Sequence, residues 1–324
     1  MALRAGLAVL AVLAVAAIVH SLDDGSSGAA DSSCDPSSFD LASADETDAA
    51  AALDRAARNA ATAVDEGLPY SYQKRQSGAI FTTAHSGRGA YSFYNINTRE
   101  SWVASDGSGR LRLTQREAWP SSEDRKDNAR YGDPGIDPKT HLIFDREYEA
   151  PTPVPVDGGD QRLPDIGELV GAPETVGCVV REAALEGLTI KQPVAQFDLA
   201  SEILLGQGLT PAVRAAAFEV LAEVPGVTIV KNPAGALRGA ITVAVEAKRG
   251  HGDGESATRH ELTFNERSSA VLGVRDELLE PADYIGSGVP SYTTLLARGE
   301  VKGVRERPGA VTEAARKTDR HGPG

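Results

Sequence analysis

Strand-like segments lie on both sides of a helical block in this 324-residue chain. Eleven of its seventeen aromatic residues fall between Tyr70 and Tyr148, a composition typical of strands. Residues 237–247 and 259–265 alternate between apolar and polar side chains, which predicts antiparallel strands with one covered face. Strands that flank helices, rather than alternating with them, predict an α+β fold. We expect one curved antiparallel half-barrel sheet packed around the helices of residues 163–224.

The helical block contains the clearest helix start in the chain, Thr210-Pro211. Threonine is a good N-cap, and proline is favoured at the first helical position. Apolar residues then recur at helical spacing until Pro225-Gly226 ends the helix. Further helices are predicted over residues 47–66, 163–170, 174–186 and 197–205. A hairpin is predicted over residues 100–116, with its turn at 105–109.

The N-terminal segment has the pattern of an export signal. Arg4 precedes fifteen apolar or small residues, Ala5–Val19, which span about 22 Å as a helix and suit a signal peptide. Counting from Leu3 to Leu22 instead gives about 30 Å, enough for a membrane anchor. Residues 1–22 are therefore predicted to be a signal peptide or a membrane anchor. In both cases the body is expected to be extracytoplasmic, either anchored to the cell membrane or secreted.

Charge is concentrated near the N-terminus. Residues 21–66 hold eleven acidic and two basic side chains, which is −9 of the formal net charge of −13. The rest of the chain has no basic stripe, so nucleic acid is excluded as an expected partner. We predict a disordered acidic linker over 23–45, one extracytoplasmic α+β domain over 46–304 and a disordered tail over 305–324.

Two cysteines, Cys34 and Cys178, are the only ones in the chain. Disulfides form in oxidising, extracytoplasmic compartments, so this pair is a candidate disulfide, with two free thiols as the alternative. Two cysteines are too few to build a scaffold, so the fold must depend on an apolar core.

Compact catalytic and metal-binding motifs are missing from the sequence. His260-Glu261 begins like a zinc-protease motif, but Phe264 stands where a second histidine is required. Histidines 85, 141 and 260 are predicted to be structural, and no nucleophile elbow or phosphate loop is present. We therefore predict a non-enzymatic protein without catalytic residues, metal or other cofactor.

Three stretches carry a resemblance to a known family: Glu100–Arg110, Leu163–Asp165 and Leu209–Val227. They resemble an actinobacterial family of uncharacterised membrane-anchored proteins, over roughly residues 68–300. The extracytoplasmic domain of that family is similar in plan to the half-barrel of lipoprotein carriers and of periplasmic sigma-factor regulators. The resemblance implies a role in envelope-stress or sigma-factor signalling.

The expected function is to bind a hydrophobic ligand, such as a lipid or acyl chain, or an envelope partner protein. Tyr91, Phe93 and Trp102 are the candidate ligand groove, on the concave side of the sheet. Two alternatives stay open: an exported hydrolase of unrecognised class, and a purely structural cell-envelope protein without a ligand.

Overall fold

The computed structural model describes residues 47–65, 67–85, 89–119, 125–126, 139–149, 173–183, 192–231, 239–251, 254–280 and 288–308. Its helices are α1 (Thr47–Ala61), α2 (Pro173–Ala183), α3 (Gln192–Leu205) and α4 (Pro211–Glu223). Its strands are β1 (Tyr70–His85), β2 (Gly89–Ala104), β3 (Gly109–Ala118), β4 (His141–Tyr148), β5 (Thr228–Ile229), β6 (Ala240–His251), β7 (Gly254–Asn265), β8 (Val271–Leu278) and β9 (Gly288–Val301).

The nine strands in the described part of the chain belong to one antiparallel sheet in the order β4-β3-β2-β1-β9-β8-β7-β6-β5, and the sheet does not close into a barrel. The first and last strands pair with each other, with Gly78 opposite Tyr292 in the β1–β9 register. This pairing joins the strands before the helical block to the strands after it. The predicted α+β class and antiparallel sheet are confirmed.

The four described helices lie on one side of the sheet, where their main contacts are with β5 to β8, and we name this the helix-facing side. Its core is formed where α4 packs against α1 and where Phe218 of α4 meets Phe264 of β7, with ring centroids 5.3 Å apart. Leu53 and Ala56 of α1 are fully buried, as their helical spacing predicts. However, α1 ends at Ala61 rather than at residue 66, which leaves Val64 exposed.

The predicted start of α4 is confirmed. The backbone N–H of Val213 donates to Thr210 Oγ1 at 3.3 Å, and Pro211 is the first helical residue. This arrangement satisfies a backbone donor that the helix itself cannot satisfy. The helix ends at Glu223, just before Pro225-Gly226, and Gly226 adopts a positive φ of 80°.

A smaller apolar cluster lies on the other side of the sheet, which we name the outer side. It contains Tyr72, Trp102, Ala297 and Val301. Residues 302–308, named here the strap, lie over it, and Trp102 Nε1 donates to the carbonyl oxygen of Glu306 at 2.7 Å. The sequence analysis assigns residues 305–308 to a disordered tail, whereas in the structure Glu306 supplies the acceptor for a buried indole.

Several predicted segments lie outside the described residues. These are the N-terminal signal or anchor and the acidic linker at 1–45, the helix at 163–170, the turn at 232–235 and the tail at 309–324. The described helices α2 and α3 begin at Pro173 and Gln192, earlier than predicted. Among the described residues, no helix combines the length and the apolar character needed to cross a membrane.

Candidate functional site

Helix α3 carries two acidic side chains toward the sheet, Asp198 and Glu202. They are four residues apart and thus on one face of the helix. The C-terminal end of α3 is fixed to the sheet by Gln73, whose Nε2 donates to the carbonyl oxygen of Leu205 at 2.7 Å, and by Arg298, which donates to the carbonyl oxygen of Gly206. These contacts fix the distance between α3, which carries the two carboxylates, and the strands.

The sheet presents a histidine and a third carboxylate to the same place. His260 of β7 and Asp276 of β8 are direct partners in the antiparallel register. His260 Nδ1 lies 3.1 Å from Asp198 Oδ1 and 3.0 Å from Asp276 Oδ1. Although both oxygens are close, the buried Nδ1 does not meet the distance and angle criteria of a hydrogen bond with either of them. Ser291 of β9 donates to the other oxygen of Asp276 at 2.6 Å.

Burial and charge shift the pKa values of this cluster strongly. Burial alone would lower the pKa of His260, but its contacts with Asp198 and Asp276 outweigh burial and raise the pKa to about 10. Burial raises the pKa of Glu202, and the two aspartates add to this effect while Arg75 opposes it. The cluster therefore favours a protonated, positively charged imidazole between Asp198 and Asp276, whereas burial favours the neutral form of Glu202.

Two arginines lie on the same side of the sheet. Arg75 of β1 and Arg99 of β2 are direct partners in the register. They share the face of Gln73, whose side chain reaches α3, so both arginines face the helices. Among the described residues, neither guanidinium forms a hydrogen bond or an ion pair. Burial, and then the charge of Arg75, lower the pKa of Arg99 to about 10.

Polar and then aromatic side chains continue along this face of β2. Asn97 and Asn95 follow Arg99 at two-residue intervals, and the Oδ1 atom of each is buried without a hydrogen-bond partner. Phe93 comes next and stacks on Phe81 of β1, with centroids 5.9 Å apart and planes 23° apart. The helix-facing side of β1 and β2 thus runs from a cationic pair through two amides to an aromatic pair. We name it the arginine-to-phenylalanine strip.

A cleft of about 370 Å³ lies at the N-terminal end of α3. Its lining residues are Pro193, Val194, Pro225, Gly226, Thr228, Val245 and Glu246. Val194 precedes Asp198 by one helical turn, and Val245 is the register partner of His260. The cleft therefore adjoins the acidic cluster and not the predicted aromatic groove.

The predicted groove of Tyr91, Phe93 and Trp102 is not assembled as expected. Phe93 lies on the helix-facing side, whereas Trp102, nine residues further along the same continuous strand, lies on the outer side and is 1 % exposed. Side chains nine positions apart on a strand point in opposite directions, so these two cannot line one groove. The side chain of Tyr91 lies outside the described residues. A ligand contact for Phe93 stays a prediction.

Cys178 lies in α2 and is disulfide-bonded. Cys34 lies outside the described residues, so a bond between Cys34 and Cys178 stays a prediction.

The sequence predicts a structural role for His260 and does not single out Asp198, Glu202 or Asp276. One signal was present: His260 occupies an apolar position in the alternation that continues through Leu262 and Phe264. A titratable residue in such a position needs polar partners from the elements that cover it. Neighbouring Glu261 points to the outer side instead, where Arg275 Nε donates to it at 2.5 Å.

The fold and the site define an open-sheet α+β protein with a charged layer between its sheet and helix α3. Comparison with protein-family models, with curated proteins and with solved structures found no match.

Proposed function

We propose that this chain is a non-enzymatic extracytoplasmic binding protein whose ligand carries a negatively charged head and an apolar chain. The observation that supports this proposal is the pairing of Arg75 with Arg99, two cations opposite each other on the helix-facing side. Among the described residues neither guanidinium forms an ion pair, and Glu202, whose carboxyl group interacts electrostatically with Arg75, is favoured in its neutral form by burial. The ligand lies along the arginine-to-phenylalanine strip, with its head at the arginines and its chain toward the phenylalanines.

The argument for a charged head is electrostatic. Like charges directly opposite on neighbouring strands destabilise a sheet, and burial of an unpaired guanidinium adds a further cost. A carboxylate or phosphate between the two side chains removes both costs, since guanidinium groups bind such anions with paired hydrogen bonds. The unpartnered oxygens of Asn95 and Asn97 then accept from hydroxyl or amide groups next to the head.

The argument for an apolar chain rests on the far end of the strip. Phe81 and Phe93 stack on each other and keep part of their surface accessible. Each methylene that leaves water for such a surface contributes about 0.8 kcal/mol before the costs of binding. In this proposal the sheet curves into a half-barrel around the chain, and the loaded or empty state reports on the condition of the cell envelope.

A fluorescent fatty acid with a free carboxylate tests this function on the full-length protein. We expect saturable binding, weakened about 10- to 100-fold by Arg99→Gln, because charged hydrogen bonds contribute about 1.5–3 kcal/mol. Phe93→Ala should weaken the binding of the fatty acid and the binding of its uncharged methyl ester to the same extent. Arg99→Gln should weaken the binding of the acid and leave the binding of the methyl ester unchanged.

Arg116→Gln is the matched control, because this arginine lies on the outer side, opposite Ile96 in the β2–β3 register. It should bind the acid like the unmodified protein. The proposal fails if binding is not saturable, or if the two arginine variants lose affinity equally, since nonspecific attraction to positive charge would then explain the result.

A further inference from the structure

The distances within the acidic cluster match those between ligands of one metal ion. Atoms that bind zinc at about 2.0–2.2 Å lie roughly 2.9–3.5 Å apart when their angle at the ion is near-octahedral or tetrahedral. His260 Nδ1 lies 3.1 Å from Asp198 Oδ1 and 3.0 Å from Asp276 Oδ1, and the three atoms are all within 4.8 Å of one another.

The orientation of the imidazole supplies a second, independent observation. In a simple histidine–aspartate ion pair, a ring N–H points at a carboxylate oxygen. Here His260 Nδ1 is buried and meets the criteria of a hydrogen bond with neither oxygen, although both are close. A metal ion bound by three ligand atoms does not lie on the line between any two of them. Nδ1 would then point at the ion, and no N–H would have to point at either aspartate.

The surroundings of the three side chains also suit a cation. Ser291 donates to the second oxygen of Asp276 and so fixes the carboxylate, as outer partners of metal ligands commonly do. Two carboxylates neutralise a divalent charge, and both belong to the cluster, Asp198 from α3 and Asp276 from β8. The cleft at Val194 and Val245 adjoins the cluster on the same side of the sheet.

From this geometry we propose that Asp198, His260 and Asp276 bind one divalent transition-metal ion, with zinc as the best match. One imidazole nitrogen and two carboxylate oxygens suit zinc, whereas magnesium and calcium prefer oxygen ligands alone. Three protein ligands leave a coordination position open for water or a ligand group. The site links α3 to β7 and β8, so the ion fixes the helix to the sheet.

The test uses the full-length protein, treated with a chelator and then titrated with zinc chloride in a calorimeter. We expect one strong site per chain. Ser291→Ala should weaken it about 10-fold, and Asp276→Asn should weaken it by more than that. Glu277→Gln is the matched control, because this carboxylate is the next residue of β8 and pairs with Arg259 rather than with His260. It should leave zinc affinity unchanged.

A spectroscopic measurement keeps the proposal testable if a variant fails to fold. In the unmodified protein labelled with ¹⁵N-histidine, one equivalent of zinc should shift the Nδ1 resonance of His260 and leave that of His141 in place. The proposal is overturned if the His260 signals stay unchanged in excess zinc, or if Glu277→Gln weakens the site as much as Asp276→Asn does. A plain imidazolium–carboxylate network would then account for the cluster.

Discussion

At the scale of single residues, the direction of a side chain decides its role more than its chemical type does. Trp102 and Phe93 both belong to β2, yet one is sealed on the outer side and the other faces the helices. The Trp102 ring lies 5.1 Å from Tyr72, and the guanidinium of Arg110 lies 5.3 Å from its centroid. Trp102 therefore contributes to stability, and the proposed ligand lies on the other side.

Truncation of this indole tests the assignment. Trp102→Ala should lower the free energy of unfolding by about 3–5 kcal/mol, because it removes a fully buried aromatic side chain and leaves the carbonyl of Glu306 without its donor. Urea denaturation measures the loss. The affinity of the folded variant for the fatty-acid probe should not change. A loss of affinity as large as that of Phe93→Ala would show that Trp102 contacts the ligand and would contradict this assignment.

At the scale of elements, local signals in the sequence were sufficient for those parts of the fold that depend on neighbouring residues. Thr210-Pro211 predicted the start of α4 because a cap requires only the following three residues. The pairing of Arg75 with Arg99 depends on the register of two strands, and no pattern within either strand fixes it. The cluster around His260 could not be predicted from the sequence either, because it joins residues of α3, β7 and β8 that are far apart in the chain.

The strap is held by an ion pair whose strength depends on pH. Glu100 accepts from Lys74 at 3.0 Å and from Arg307 at 2.7 Å. Burial alone would raise the pKa of Glu100, but these two cations outweigh it and lower the pKa below the usual value of about 4.3. The pair thus stabilises the fold above the unfolded-state pKa. This contribution is lost as the pH falls through the lower pKa of the folded state.

The free energy of unfolding, measured between pH 7 and pH 3, checks this dependence. Below about pH 4.3 the unmodified protein should lose stability more steeply than Glu100→Gln, which has no charge to lose at this position. Glu266→Gln serves as the control, because Glu266 pairs with Arg55 while both side chains are 47 % exposed. The control should follow the unmodified curve, and identical curves for all three proteins would contradict the assignment.

At the scale of the whole molecule, the pairing of β1 with β9 makes one sheet out of two strand groups separated by the helices. Gly78 of β1 lies opposite Tyr292, and the hydroxyls of Ser77 and Thr293 are 2.9 Å apart in the same register. Strands β1 to β4 have few contacts with the helices, whereas β6 to β8 pack directly on α3. Strands β1 to β4 therefore depend for their stability on the β1–β9 pairing, which we name the seam. The chain should unfold as one cooperative unit.

A substitution at the seam tests this unity. A Cβ atom at position 78 would lie 2.6 Å from Cζ of Tyr292, whose ring is held edge-on by Tyr94 at 6.1 Å. Gly78→Ala should therefore cost about 1–3 kcal/mol, whereas Gly303→Ala, with open space around its Cβ position, should cost far less. Hydrogen exchange should show the same loss of protection in the most stable amides of β2 and of β7, because both exchange through global unfolding. If only β1 to β4 lose protection, the two strand groups fold separately and the single-domain prediction is wrong.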